Sequence, residues 1–370
     1  MSDLGRRAYL TPSQAQLSVS AYFDEAAYRN EIRNLFRAGP GYLGHELMVP
    51  NVGDYHALDA ENGGRILVRS AAGRSGIECL SNVCRHRQAI MLSGRGHADS
   101  IVCPLHRWTY DLNGTLLGAP HFEQQPCLNL GRTPLQNWQG LLFEGPRDVA
   151  RDLGKLGIKG DLDFSGHLLD RVEVHECDYN WKTFIEVYLE DYHVAPFHPG
   201  LGKFVNCENL SWEFGDWYSV QTVGVHKDLK QAGSSVYRNW QDQVLKYRGG
   251  SVPKFGAIWL TYYPNVMVEW YPHVLVVSTL IPRGPRQTTN IIEFYYPEEI
   301  VLFEREFVEA ERAAYRETQQ EDDEIARRMD AGRKALLDRG ISESGPYQSP
   351  MEDGMQHFHE FLRAHVEYPA

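Results

Sequence analysis

Two short runs, Cys84-Arg85-His86 and Cys103-Pro104-Leu105-His106, each offer one thiolate and one imidazole, and together they read C-x-H-x16-C-x2-H. Brought together, the loops supply two sulfur and two nitrogen ligands. That set suits a two-iron two-sulfur cluster in which two Cys hold one iron and two His hold the other, a centre that carries electrons one at a time. A tetrahedral zinc shell also takes two Cys and two His, but a finger orders them Cys, Cys, His, His. Here each loop carries one of each, so the iron-sulfur reading is preferred over structural zinc and over unrelated loop residues.

A carrier of single electrons needs an acceptor, and a second group of ligand types follows in Glu190-Asp191-Tyr192-His193-Val194-Ala195-Pro196-Phe197-His198. With Trp181 to His193 helical behind an Asn180 cap, Glu190 and His193 share a face. Pro196 then ends or bends the helix, and the chain returns His198 toward His193. An isolated H-x4-H is more often a pair of ordinary helix-end residues; the loops upstream tip the balance toward metal. Two imidazoles and a carboxylate make the facial triad that holds Fe(II) and leaves positions open for oxygen and substrate. On a late helix, Tyr315, Thr318, Asp322, Ile325, Ala326 and Met329 follow the i, i+3, i+4, i+7 rule, so Asp322 falls on the stripe facing the core, and Asp323 falls with Arg327 and Asp330 on the wet side. A charge on a buried stripe is costly unless paired or metal-bound, which makes Asp322 the third ligand rather than part of a solvated acidic run.

The elements around these residues separate into blocks. Thr11 to Phe36 reads as helix, ended by Gly39-Pro40-Gly41; Tyr42 to Gly145 reads as short strands such as Ala57-Leu58, Arg65 to Arg69, Ile101-Val102 and Gly140 to Phe143 between Gly, Asn and Pro turns. A linker from Pro146 to Gly166 leads to a strand at Val172 to His175, a helix from Trp181, aromatic strands between Trp212 and Tyr296, and a charged helix from Glu298 to Arg339. This segregation is an α+β pattern. In 370 residues, 42% apolar with 12% aromatic content supports two or three domains, and a formal charge of -12 argues against nucleic acid as a partner. The N-terminus has no apolar leader, and the greasiest run, Val274 to Ile281, is too short to span a bilayer. A cytoplasmic protein without membrane association is expected. Cys79, Cys127, Cys177 and Cys207 fall outside the ligand pattern and read as buried thiols.

With Arg87 beside His86, and with Arg107-Trp108-Thr109-Tyr110-Asp111 and Gly114 after His106, the cluster segment resembles the Rieske domain of ring-hydroxylating oxygenases. The whole chain resembles the catalytic α subunit of a Rieske non-heme iron oxygenase: Asn180-Trp181-Lys182, Glu190 to His193 with His198, Tyr263-Pro264-Asn265, Pro282-Arg283-Gly284-Pro285 and Gln320-Glu321-Asp322 recur in order. Tyr347-Gln348-Ser349-Pro350 and His357-Phe358-His359 resemble the branch containing choline, carnitine and stachydrine monooxygenases. The resemblance implies an antiparallel β Rieske domain over 41–150, a helix-grip (START-like) catalytic domain over 160–370, and an N-terminal helical segment, 1–40, packed on the latter. It implies a 2Fe-2S cluster on Cys84, His86, Cys103 and His106, and a mononuclear Fe(II) on His193, His198 and Asp322. Three subunits would associate head to tail, the cluster of one serving the iron of its neighbour through an acidic bridge. By position that bridge is Glu190, between His106 of one subunit and His193 of the next, with Asp191 as the fallback; the commonest pattern has Asp at this place.

Electrons would come from NAD(P)H through a separate reductase, with or without a ferredoxin, because the chain has no G-x-G-x-x-G fingerprint and no plant-type ferredoxin spacing. Arg85, Arg87, Arg95 and Arg107 would steer an acidic donor. Trp259, Tyr263, Trp270 and Tyr271 are the candidates for a substrate pocket that stacks an arene or holds a quaternary ammonium, although alternate core positions on strands is the plainer reading of any single ring. The expected function is hydroxylation or dihydroxylation of a small aromatic substrate with O2, within aromatic hydrocarbon catabolism. The alternative is oxidative N-demethylation or hydroxylation of a small amine, quaternary amines included. A non-catalytic Rieske electron carrier is more distant, since it leaves His193, His198 and Asp322 without a purpose.

Overall fold

The computed structural model describes Leu10, 15–61, 63–73 and 76–369, and the chain divides into two compact units, Pro40–Ala150 and the segments flanking it. The first unit is built from short antiparallel strands. Its five-stranded sheet runs Arg95–His97, Asp54–Ala57, Arg65–Arg69, Ile77–Ser81, Arg132–Thr133, and a three-stranded sheet joins Ile101–Val102, Thr109–Tyr110 and Leu116–Gly118. Ile66, Leu67 and Val68 are consecutive and wholly buried, so both faces of their strand are covered. Ile66, Val68, Leu80, Ile101, Trp108 and Tyr110 form one core, and Cys84 and Cys103 are part of it.

The second unit is a seven-stranded antiparallel sheet in the order His167–Cys177, Gln287–Pro297, Val274–Gly284, Val266–Tyr271, Ala257–Tyr262, Tyr218–Val225, Val205–Gly215. Every residue of Ala257–Tyr262 is buried. One face lies under the long helix Arg305–Asp338, where Tyr315 meets Phe294 edge-on at 5.1 Å and Phe307 meets Trp240, from the helix Ser235–Tyr247, at 4.9 Å. The closing helix Asp353–His365 packs Phe361 against Trp217 and Tyr263 at 4.9 and 4.7 Å.

The two outer helical segments and the burial of the cysteines differ from expectation. The N-terminal helix begins only at Glu25, because Asp24 caps it by accepting the Ala27 N–H at 2.7 Å; Val19–Tyr22 is a separate 3-10 turn, and Thr11 to Gln14 lie outside the described residues. The late charged helix is two, Glu298–Phe303 and Arg305–Asp338, because Glu304 leaves helical dihedrals at φ -120° and ψ 56°. Of the four non-ligand cysteines only Cys79 and Cys177 are buried; Cys207 is half-buried and Cys127 exposed. No helix among the described residues is long and apolar enough to cross a membrane.

The N-terminal helix Glu25–Glu31 is tied to the sheet unit by charge. Glu31, 0% exposed, accepts from the Trp181 indole at 2.8 Å and pairs with the Lys182 ammonium at 2.6 Å, and Lys182 is itself 1% exposed. Lys182→Met strands a buried carboxylate and should lower stability by about 3–5 kcal/mol. A chemical-denaturation midpoint checks this, with an unchanged midpoint as the contrary result.

Candidate metal centres and the adjoining cavity

The two cluster loops close in the same way. Cys84 N–H donates to Ala89 O at 2.9 Å and Gln88 N–H to Cys84 O at 3.1 Å; Cys103 N–H donates to Trp108 O at 2.8 Å and Arg107 N–H to Cys103 O at 3.1 Å. Gln88 and Arg107, each four residues after its Cys, have φ of 55° and 62°, the left-handed region that side chains rarely adopt. These matched turns bury both cysteines to 2% exposure and bring the rings of His86 and His106 to 4.7 Å between centroids. Trp108 stacks on His86 at 5.0 Å, and the Tyr110 hydroxyl, 3.7 Å from Cys84 Sγ, is placed to donate to a thiolate there. Hydrogen bonds of this kind tune a cluster's potential. His86 Nδ1 is buried with no hydrogen-bond partner, which a bound iron would satisfy. His86 is half-buried and His106 exposed.

The second group lies on two separate elements. The helix expected to run through His193 spans only Trp181–Tyr188, since Leu189 leaves it at φ -98° and ψ 23°. Glu190 and His193 therefore share a turn, not a helical face: Glu190 Oε2 accepts the His193 backbone N–H at 3.0 Å, and Oε1 accepts from the ring Nδ1. A one-turn helix, Val194–Phe197, follows, and Pro196 sits inside it instead of ending it, because the first turn leaves its N–H positions unused. His193 and His198 flank that turn and their Nε2 atoms come within 2.9 Å.

Asp322, from the long helix, places Oδ1 2.9 Å from His198 Nε2 and 3.4 Å from His193 Nε2. The opposite nitrogens are already engaged. His193 Nδ1 donates to Glu190 and His198 Nδ1 to Glu321 Oε2 at 2.7 Å. With both protons on Nδ1, two Nε2 lone pairs and a carboxylate oxygen converge on one point, an arrangement that repels itself unless a cation sits there. Carboxylates behind ligating imidazoles are the usual way of fixing their tautomer. Without a metal, a proton would take that place: burial opposes a charge on His193, yet its hydrogen bonds to Asp322 and Glu190 outweigh this and raise its pKa to about 10. Glu321 was missing from the expected set although it adjoins Asp322; only its i–1 place beside a candidate ligand hinted at it. Glu321→Gln should weaken iron retention about 10–100-fold while leaving the cluster intact, as measured by metal analysis after graded chelation. Unchanged retention would mean that Glu321 does not support His198.

The amphipathic reading of this helix needs correction. Asp322 is not fully buried: its side chain is 36% accessible and lines a cavity. Asp323 and Asp330, placed on the wet side by their spacing, are only 5% and 6% exposed. Asp323 accepts from Tyr179 Oη at 2.7 Å and His175 Nε2 at 3.0 Å; Asp330 accepts from the Asn180 N–H and the Thr183 hydroxyl at 2.8 and 2.6 Å. The segment 175–183 covers that face with donors, which no count of apolar residues registers. Asp191, the fallback for Glu190, is 2% exposed beside Cys207 and Gln221, and burial raises its pKa to about 7.

The cavity beside His193, His198 and Asp322 is walled by the sheet and the long helix. In antiparallel register Trp259 faces Glu269, and Tyr271 is two residues further along the same strand, so all three project to one side. Of the four candidate rings, Trp259 and Tyr271 line the cavity and Tyr263 and Trp270 do not. Trp270 lies between Glu269 and Tyr271 in the pleat and so points to the opposite face, against Phe255. Tyr263 lies past the strand end and bonds to the Ser219 hydroxyl at 3.0 Å and to His357 Nδ1 at 2.9 Å. Two carboxylates unforeseen in the sequence, Glu269 and Glu311, also line the wall, and the described lining contains no Lys or Arg. Burial pushes the pKa of each up to about 7.

Residues 167–368 match the family described as the ring-hydroxylating alpha subunit (catalytic domain), and residues 41–133 match the Rieske [2Fe-2S] domain. A putrescine 2-hydroxylase of Ralstonia nicotianae is 71% identical over 368 residues, covering 100% of both chains. A putrescine 2-hydroxylase of Bordetella bronchiseptica is 59% identical, covering 98% of this chain and 87% of that one. Among solved structures, a quaternary ammonium Rieske monooxygenase described in terms of carnitine oxidation and inter-subunit electron transfer superposes with a TM-score of 0.71 at 20% identity, covering 95% of each chain.

Proposed function

This chain belongs to the family of ring-hydroxylating oxygenase α subunits that carry a Rieske domain and a mononuclear iron, and we propose that it inserts one oxygen atom of O2 into a C–H bond of a short aliphatic diamine, putrescine at C2. The observation that carries this reading is the acidic and aromatic cavity wall, free of Lys and Arg among its described residues, beside the two His and the Asp. Such a wall disfavours an aromatic acid and favours a cation. Two relatives named for putrescine, one matching the whole chain and the other 98% of it, support the same choice. The expected arene substrate and place in aromatic hydrocarbon catabolism therefore give way to the amine alternative: two of the four candidate rings lie off the cavity, and the two on the wall stand with carboxylates.

In this reading Cys84, His86, Cys103 and His106 hold the 2Fe-2S cluster, and His193, His198 and Asp322 hold the iron. Once bound, the iron supplies the open coordination positions at which O2 is activated. Glu190 keeps the His193 ring in one tautomer and offers its other face to a neighbour. His106 is exposed, as a residue handing electrons to a second subunit must be, so a head-to-tail homotrimer with Glu190 as the bridge is proposed. Arg85, Arg87, Arg95 and Arg107 are exposed, and among the described residues none pairs with a carboxylate, which leaves them for docking an acidic reductase or ferredoxin.

The test is O2 uptake by reconstituted enzyme with a reductase, across short diamines, quaternary amines and arenes. Putrescine should give the highest kcat/KM, with one O2 consumed per hydroxylated diamine. Coupled turnover of an arene, with none of a diamine, would restore the expectation drawn from the rings.

A further inference from the structure

We propose that Glu269 is the counter-ion for one ammonium group of the substrate, so that it selects cationic amines. The assignment rests on the amine reading above and adds to it the residue responsible.

Glu269 is 2% exposed, lies on the wall of the cavity, and has no basic side chain within ion-pair distance among the described residues. Its oxygens accept only from tyrosines: Oε2 from Tyr271 at 2.8 Å and Oε1 from Tyr315 at 3.3 Å. Tyr271 is held in turn by the Trp259 indole N–H at 2.9 Å. A carboxylate accepts about four hydrogen bonds, so roughly half of its capacity is left. The Tyr188 hydroxyl, buried on the same wall, has no partner either. The other buried acids of the wall are differently placed. Glu311 has a counter-charge in Arg171 at 3.8 Å and a donor in Tyr296, Asp323 is held by His175 and Tyr179, and Asp191 belongs to the turn that carries His193.

A buried carboxylate with no counter-charge in a ring-lined cavity is costly unless a cation arrives to meet it. Burial, with the nearby Glu311 and Asp322 carboxylates, lifts the pKa of Glu269 to about 7 against the hydrogen bonds of Tyr271 and Tyr315, and an approaching ammonium draws the group to its ionised form. The rings of Tyr271 and Tyr315, edge-on at 6.5 Å, flank the carboxylate on the same wall and point their hydroxyls at it. An uncharged alkane or arene gains nothing from this arrangement and leaves the carboxylate uncompensated, which is how the pocket would discriminate.

The experiment is calorimetric titration of oxidised holoprotein with 1,4-diaminobutane, in the wild type, Glu269→Gln and Glu269→Asp. Gln keeps the shape and loses the charge; Asp keeps the charge and loses a methylene. Binding should weaken about 30-fold or more in Glu269→Gln, with Glu269→Asp binding more tightly than Gln. Gln binding as tightly as the wild type, or Asp binding less tightly than Gln, would overturn the assignment, since packing and not charge would then decide. If the wild type hydroxylates the diamine while Gln binds it equally well, only the role of Glu269 falls. If the wild type neither binds nor hydroxylates it, the amine reading itself falls.

Discussion

Asp322→Ala yields protein with its full complement of cluster iron and acid-labile sulfide, no mononuclear iron, and hydroxylation reduced beyond detection. The three converging atoms come from two elements distant in sequence, and Asp322 Oδ1 is the only oxygen among them. Removing it leaves two imidazoles whose Nε2 atoms lie 2.9 Å apart, without the anion that offsets the metal's charge. Loss of a supporting group costs about 10–100-fold in metal affinity, and loss of a ligand itself should exceed that range. The cluster is unaffected because its four residues belong to the other compact unit. Iron and sulfide analysis of protein purified without air, before and after Fe(II) addition, reads this directly. Retained mononuclear iron would remove Asp322 from the ligand set, and Asp323 would not replace it, being committed to His175 and Tyr179.

Glu190→Gln still assembles both metal centres once Fe(II) is added, its hold on the mononuclear iron weakened as in Glu321→Gln, and electron delivery between them slows. Glu190 touches His193 through two contacts, the backbone N–H at 3.0 Å and the ring Nδ1, and an amide can keep the first while losing the charge behind the second. A charge-assisted hydrogen bond is worth about 1.5–3 kcal/mol, which corresponds to about 10–100-fold in rate if the bridge governs the transfer step. Single-turnover reoxidation of the reduced cluster, with O2 and substrate present, is the measurement. A wild-type rate would take the bridge away from Glu190. Asp191 is a poor substitute, since it is buried beside Cys207 and Gln221.

The residues that converge are legible from residue type and spacing, since metal chemistry narrows the choice to Cys, His and carboxylates. The α+β division also followed from composition, because Gly-rich short strands and long amphipathic runs differ in period. What escaped was local and polar. Sequence marks Pro196 as a stop, yet it occupies the opening of a single turn, a distinction set by where the preceding helix frays. Helical spacing alone puts Asp323 and Asp330 in solvent, because their partners, Tyr179, His175, Asn180 and Thr183, come from a remote segment. Composition does not separate Tyr263 and Trp270 from the pocket rings, since strand ends and the phase of the pleat decide; Tyr271, one residue on from Trp270, points the other way. Glu269 carries no signal of its own in a strand rich in apolar and aromatic residues, and its significance depends on facing Trp259 across the register.

The most direct test of amine hydroxylation is one turnover of fully reduced, iron-loaded enzyme with putrescine and isotopically heavy O2, followed by mass analysis of the organic product. One heavy oxygen atom in a hydroxylated diamine that keeps both nitrogens is the expected result. An unmodified diamine, or an oxidised product carrying only oxygen from water, would contradict it.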